Sequence, residues 1–277
     1  MSNESMICDH CLDKLSNNLI LYEGKNYHEE CYSQFIAPKC SLCRKIIEGD
    51  FLMDAWGNPF HKSHEKEGIY CSSCSRIISE SITYGGYKLN DGRFLCSLCQ
   101  INIIESQIQV NSSKKVVLNE LNNIGIQINN KETPILLANR NVLQKMAPDI
   151  SSIHLKGFTE VSYLNIQEKQ KSNKYKIYIL DRLPKIEFQA VLAHEFLHIW
   201  LHENNIELKP AKIEGFCNLG SAHIYKISNT KFSKIHLQSM EIDNDPNYGV
   251  EYERYIDIND NSVYDSGEAF TDCNEEQ

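Results

Sequence analysis

No stretch of the 277-residue chain approaches eighteen uninterrupted apolar residues, so a membrane-spanning helix is not expected. The opening residues, Met1 to Ile7, lack a basic stretch followed by an apolar core. No secretory signal is read there, and the expected location is the cytoplasm. Positive charge is scarce: 28 Lys and Arg stand against 37 Asp and Glu, for a net charge of −9. Twelve of the acidic residues fall between Glu241 and Gln277 beside the single Arg254, which leaves the rest of the chain near +2. That balance supplies no electrostatic reason to bind nucleic acid, so the expected partners are proteins.

Cysteine is nearly absent after residue 100 and dense before it, with nine of 11 cysteines in the front part. Their spacing is paired. Cys8 and Cys11 are followed after 16 residues by His28 and Cys31. Cys40 and Cys43 are followed after 17 by His61 and His64, and Cys71 and Cys74 after 21 by Cys96 and Cys99. An x-x spacing lets one tight turn present two ligands to one ion, which favours zinc over disulfides. Twelve donors divide into three tetrahedral structural sites, with sequential pairing preferred to a cross-braced one because the intervening loops are similar. Each block is too short for its own core, so metal binding, about 10–16 kcal/mol in zinc-finger peptides, must supply much of the folding free energy. Asn90-Asp91-Gly92 and Gly85-Gly86 read as hairpin signals. The rhythm, with Tyr27 and Phe60 just before His28 and His61, resembles a LIM domain, which implies a protein-recognition module.

From about residue 101 the texture changes, and the whole reads as α+β. Val117, Leu118, Leu121 and Ile124 have helical spacing over 114–124. Apolar runs at Pro134–Ala138 and Tyr175–Leu180 follow, the second alternating as a strand, while Asn, Ser and Lys over 165–174 suggest a surface loop. Beyond Pro184 an apolar helix is expected, carrying His194-Glu195-x-x-His198. Four residues is just over one helical turn, so both imidazoles leave one face about 6 Å apart at Cβ. Glu195 then flanks the position of a metal-bound water, where a general base belongs. The third ligand is Glu214, on a second helix after Lys209-Pro210, or His202, one turn past His198. Glu214 is favoured because His202 lies too far along the same helix and lacks the glycine turn of the three-histidine class.

Val191 to Leu201, followed by Ile213-Glu214-Gly215-Phe216-Cys217, resembles the plant organ-size-control family of ubiquitin-activated LIM-domain zinc peptidases. Leu89 to Cys96 with Cys99 is similar to that family's last knuckle, and Pro134 to Ala138, Leu183-Pro184 and Pro246 to Tyr252 also match its pattern. The resemblance implies LIM-like modules over 1–100, a gluzincin-type metallopeptidase domain over 101–256 and an acidic tail over 257–277. It further implies one catalytic and three structural zinc ions, protein substrates, and ubiquitin or ubiquitinated proteins as candidate partners.

The chemistry expected is metal-assisted peptide hydrolysis, with zinc on His194, His198 and Glu214 and Glu195 moving the proton. Tyr175–Leu180 is expected to offer its edge to an extended substrate. His223, Tyr248 and Tyr252 are candidate oxyanion donors, Tyr248 foremost because it falls in the family-like Tyr-Gly pair. Cys217 reads as a small buried hydrophobe. Asp257, Asn259, Asn261, Asp265 and Glu268 follow calcium-loop spacing but have Ser262 where glycine belongs, so a solvated acidic segment is the better reading. The competing function is a catalytically silent LIM-type zinc adaptor, which the general-base residue Glu195 disfavours.

Overall fold

The computed structural model describes residues 6–15, 18–148, 155–166, 170–242, 254–255 and 270–271. The chain forms two compact units, Met1–Cys71 with Ser75–Gly86, and Ser72–Cys74 with Tyr87–Gln277. Tyr248, Tyr252 and the calcium-like spacing at 257–268 lie outside the described residues. Among those that are described, no helix is long and apolar enough to cross a membrane.

A small motif recurs three times in the cysteine-rich part. Isolated antiparallel bridges join Ile7 to Lys14, Lys39 to Ile46 and Tyr70 to Ile77, each bracketing one Cys-x-x-Cys. The first cysteine carbonyl accepts from the N–H four residues on (Leu12, Arg44, Ser75), at 2.8–3.0 Å. Those three residues are left-handed, with φ of 66°, 62° and 57°. No glycine marks them, and an ordinary side chain there costs about 1–2 kcal/mol, so the turn is held by its surroundings.

Hairpins follow the first two turns. Strands β1 (Ile20–Tyr22) and β2 (Lys25–Tyr27) pair antiparallel, as do β3 (Phe51–Met53) and β4 (Pro59–His61). Each delivers a histidine at or just past its second strand. A one-turn helix α1 (Glu29–Cys31) follows β2. Buried Cys40, Ile47, Phe60 and Ile77 form a small core. Beside it the buried Asp54 carboxylate accepts N–H bonds from Trp56, Asn58 and Ile77 at 2.9–3.1 Å.

After helix α2 (Glu80–Thr83) the Gly85-Gly86 pair does not make a hairpin turn. Tyr84 and Gly85 are both left-handed and end the helix, and β5 (Gly86–Lys88) starts at once. The hairpin turn is the other expected one, at Asn90-Asp91-Gly92, leading into β6 (Phe94–Cys96) and helix α3 (Ser97–Gln100). Arg93, 4% exposed, anchors it: its guanidinium bonds the Asp91 carboxylate and both the backbone carbonyl and the carboxylate of Asp181. Burial opposes charge on Asp91, but Arg93 and the Arg140 N–H outweigh it and hold the carboxyl below its ordinary range.

Helix α4 runs Gln107–Asn123, starting earlier than its apolar spacing suggests because Ser106 and Gln109 close a capping box. A three-stranded sheet has the order β7–β9–β8, with β7 at Ile135–Ala138, β8 at Gly157–Ile166 and β9 at Gln170–Leu180. β7 is parallel to β9, and β8 antiparallel. The expected loop at 165–174 is therefore largely ladder: Ile166 pairs with Gln170 and Ser162 with Lys174. Polar composition misled because backbone pairing needs no apolar side chain, so a hairpin continues beyond the apolar part of its strands. Between the sheet's two edge strands runs helix α5 (Arg140–Met146).

Three further helices follow in the second unit: α6 (Lys185–Glu203), α7 (Pro210–Ser228) and α8 (Lys231–Ile242). Pro184 precedes α6, and Pro210 opens α7, where a missing N–H costs nothing. Ile177, Ile179, Phe188, Leu192, Phe196 and Ile199 are fully buried between sheet and helices. Each contributes roughly 1.5–3 kcal/mol by leaving water. α6 and α7 pack closely because Gly220 has no side chain. A Cβ there would stand 2.9 Å from Leu197 and 3.1 Å from the Ala193 backbone.

Candidate metal centre

Three donor clusters lie in the cysteine-rich part, and in each the ligand atoms are within 4.8 Å of one another. They are Cys8, Cys11, His28 and Cys31; Cys40, Cys43, His61 and His64; and Cys71, Cys74, Cys96 and Cys99. These are the groupings that sequential pairing anticipates. The Cys/His clusters are of the kind that binds zinc in LIM-like domains.

The histidine orientation repeats. His28 Nδ1 is 3.4 Å from Cys11 Sγ, while its Nε2 is 3.1 Å from the Lys14 carbonyl. His61 Nδ1 is 3.4 Å from Cys43 Sγ and its Nε2 is 3.1 Å from the Ile46 carbonyl. A carbonyl only accepts, so Nε2 carries the proton and Nδ1 keeps a lone pair facing the thiols. Burial raises the Cys8 and Cys40 thiols, yet backbone N–H groups aimed at each sulfur outweigh it. Those of Cys11, His28 and His10 bring Cys8 to about 6, and those of Cys43, His61 and Leu42 bring Cys40 to about 6. Both therefore favour the thiolate, the form that binds metal.

The remaining cluster belongs to α6 and α7. His194 and His198 lie one turn apart on α6, with their Nε2 atoms 3.1 Å from each other. Glu214, on the first turns of α7, brings Oε2 to 3.3 Å from His194 Nε2 and Oε1 to 3.6 Å from His198 Nε2. Tetrahedral zinc with bonds of about 2.0–2.1 Å separates its N and O donors by about 3.4 Å. Two imidazoles and a carboxylate at this spacing fit such an ion.

Burial opposes charge on His194, but the hydrogen bond and charge of Glu214 and the charge of Glu195 outweigh it and raise its pKa; an Asn218 hydrogen bond adds to this. Burial and the neighbouring His194 bring His198 down to about 4. Burial works against the Glu214 carboxylate as well, and the two histidines overcome it and lower its pKa. Glu195 is 4% exposed, and burial pushes it up to about 7 against the pull of His194 and Thr159.

Two residues of β8 position Glu195, and neither was singled out in the sequence. The Thr159 hydroxyl donates to Glu195 Oε2 at 2.6 Å. Gly157 leaves room for the other oxygen: a Cβ there would stand 2.2 Å from Oε1. They are 36 or more positions away along the chain, and no local pattern signals the contact.

The rival ligand His202 is engaged elsewhere, with Nδ1 2.9 Å from the Tyr175 hydroxyl of β9. His223 lies two and a half turns beyond Glu214 on α7, on the opposite helical face, and its Nε2 faces Glu120 of α4 at 4.0 Å. Cys217 is fully buried, as expected, but its sulfur is also within 4.8 Å of the donor atoms of His194 and His198. Burial, with Glu214 and Glu195 nearby, pushes its thiol well above the ordinary value.

The chain's homologues are DA1 and DA1-related LIM-domain proteins. Protein DA1 of Arabidopsis thaliana is 25% identical over 229 residues, covering 70% of this chain and 42% of DA1. DA1-related 1 of the same plant is 26% identical over 263 residues, 79% of this chain and 47% of the relative. LIM domain-containing protein B of Dictyostelium discoideum is 33% identical over 98 residues, 35% of this chain and 16% of its own length. The chain thus spans less than half the length of the DA1 proteins it matches. No protein-family model and no solved structure matches it. This homology supports a LIM-containing protein.

Proposed function

We propose that the protein is a zinc-dependent endopeptidase acting on protein substrates, with LIM-like modules for recognition or regulation. The observation that carries this reading is the convergence of His194, His198 and Glu214, at 3.1–3.6 Å, beside the buried carboxylate of Glu195. Residues 1–100 would form the modules and hold three structural ions. Residues 101–256 would form a gluzincin-like domain with one more, and 257–277 the acidic tail.

Zinc held by the three donors would polarise the scissile carbonyl and bring the pKa of water towards about 7. Glu195 takes the proton of the attacking water and hands it to the leaving amine. Oε1 is the oxygen left for this, since Oε2 is held by Thr159. The substrate strand expected at Tyr175–Leu180 moves to a neighbour. β9 is central, with β7 on one side and β8 on the other, so both its edges are taken. Among the described residues β8 pairs on one side only, and it runs past Glu195 through Gly157 and Thr159. An extended peptide adding to β8 would pass the base. For the modules, ubiquitin and ubiquitinated proteins are the first partners to test.

Two variants test the reading on the full chain. Glu195→Gln is expected to keep its metal and lose cleavage of an unfolded protein substrate; full retention of cleavage would overturn the mechanism. Metal analysis is expected to give about four zinc ions in the wild type and about three in His194→Ala. End-labelled peptides distinguish internal from terminal cleavage.

A further inference from the structure

The geometry points to Cys217 as a fourth protein donor for the ion at His194, His198 and Glu214, able to close the site to substrate. The inference rests on the metal assignment proposed above and adds a ligand that assignment does not use.

Cys217 lies on α7, one turn beyond Glu214, so the element that brings the carboxylate to the imidazoles also brings the thiol. The side chain is 0% exposed, and its sulfur has no hydrogen-bond partner among the described residues. Donor atoms of His194, His198 and Cys217 all lie within 4.8 Å of one another. In a tetrahedral site with Zn–S about 2.3 Å and Zn–N about 2.0–2.1 Å, sulfur and nitrogen stand about 3.6 Å apart. That spacing lies inside the 4.8 Å that bounds the three donor atoms.

Zinc distinguishes two kinds of protein site. Three protein donors leave a position for water and substrate; four leave none. His194, His198 and Glu214 make three. When Cys217 binds, the thiol proton leaves to solvent and the sulfur takes the remaining position, so the donor set becomes that of a structural site. The residue is then a resident competitor of substrate, built into the same helix as the carboxylate ligand. A cysteine that only fills space would leave the metal's spectrum indifferent to its replacement.

The test uses the full chain, with zinc kept in the three cysteine-rich sites and Co²⁺ placed in the remaining one. Thiolate ligation of Co²⁺ gives a near-ultraviolet charge-transfer band that nitrogen and oxygen donors do not. The wild type is expected to show this band, and Cys217→Ser and Cys217→Ala to lose it while keeping visible ligand-field absorption. That absorption also reports that the site in each variant remains folded. His194→Ala is expected to lose both. Cobalt lost from His194→Ala, with either no charge-transfer band in the wild type or the same band in both Cys217 variants, overturns the inference alone. Cobalt bound equally by His194→Ala and wild type removes the metal assignment, and this inference with it.

Discussion

Glu195 is held by a hydroxyl on one oxygen and by the lack of a side chain beside the other. Thr159→Val removes the first while keeping the shape, and is expected to lower turnover by about 10–100-fold with zinc content unchanged. Gly157→Ala removes the second. The backbone at Gly157 is not left-handed, so alanine is tolerated by the chain, but its Cβ would occupy the place of Oε1. The expected outcome is a folded, zinc-loaded protein with little cleavage, read by metal analysis beside a peptide assay. The histidines and Glu195 itself were legible because one helical turn fixes their spacing. Gly157 and Thr159 were not, because a strand meeting a helix across the core leaves no trace in neighbouring residues. Cys217 was read correctly as buried, yet the imidazoles it faces come from another helix.

At the scale of elements, the position of Glu214 depends on how closely α7 lies against α6. Gly220→Ala gains up to about 1 kcal/mol of helix propensity but forces a methyl against the Ala193 backbone, where overpacking costs about 1–3 kcal/mol. The expected net effect is a lower urea midpoint, together with faster loss of the α6–α7 ion to a competing chelator. The helices themselves were legible from Pro184, Pro210 and the apolar faces. Strand order was not: Tyr175–Leu180 reads as a strand, but nothing in its alternation says that β7 and β8 take both edges. Only the assembled sheet shows that β9 is internal and that β7 and β8 are its edges.

At the scale of the molecule, the two units draw stability from different sources. The first has a core of a few side chains, Cys40, Ile47, Phe60 and Ile77, whereas the second buries a continuous set spanning β9, α4, α6 and α7. A strong chelator is expected to release the amides of Ile20–His61 to hydrogen exchange while those of β9 and α6 stay protected. Simultaneous loss of protection in both would contradict this division. The carbonyls that orient His28 and His61 belong to Lys14 and Ile46, residues placed by the bridges that bracket the cysteine turns. Until a turn has formed, its imidazole has nothing to hold it with the lone pair facing inward. A turn that opens therefore also takes away the carbonyl against which its histidine is steadied.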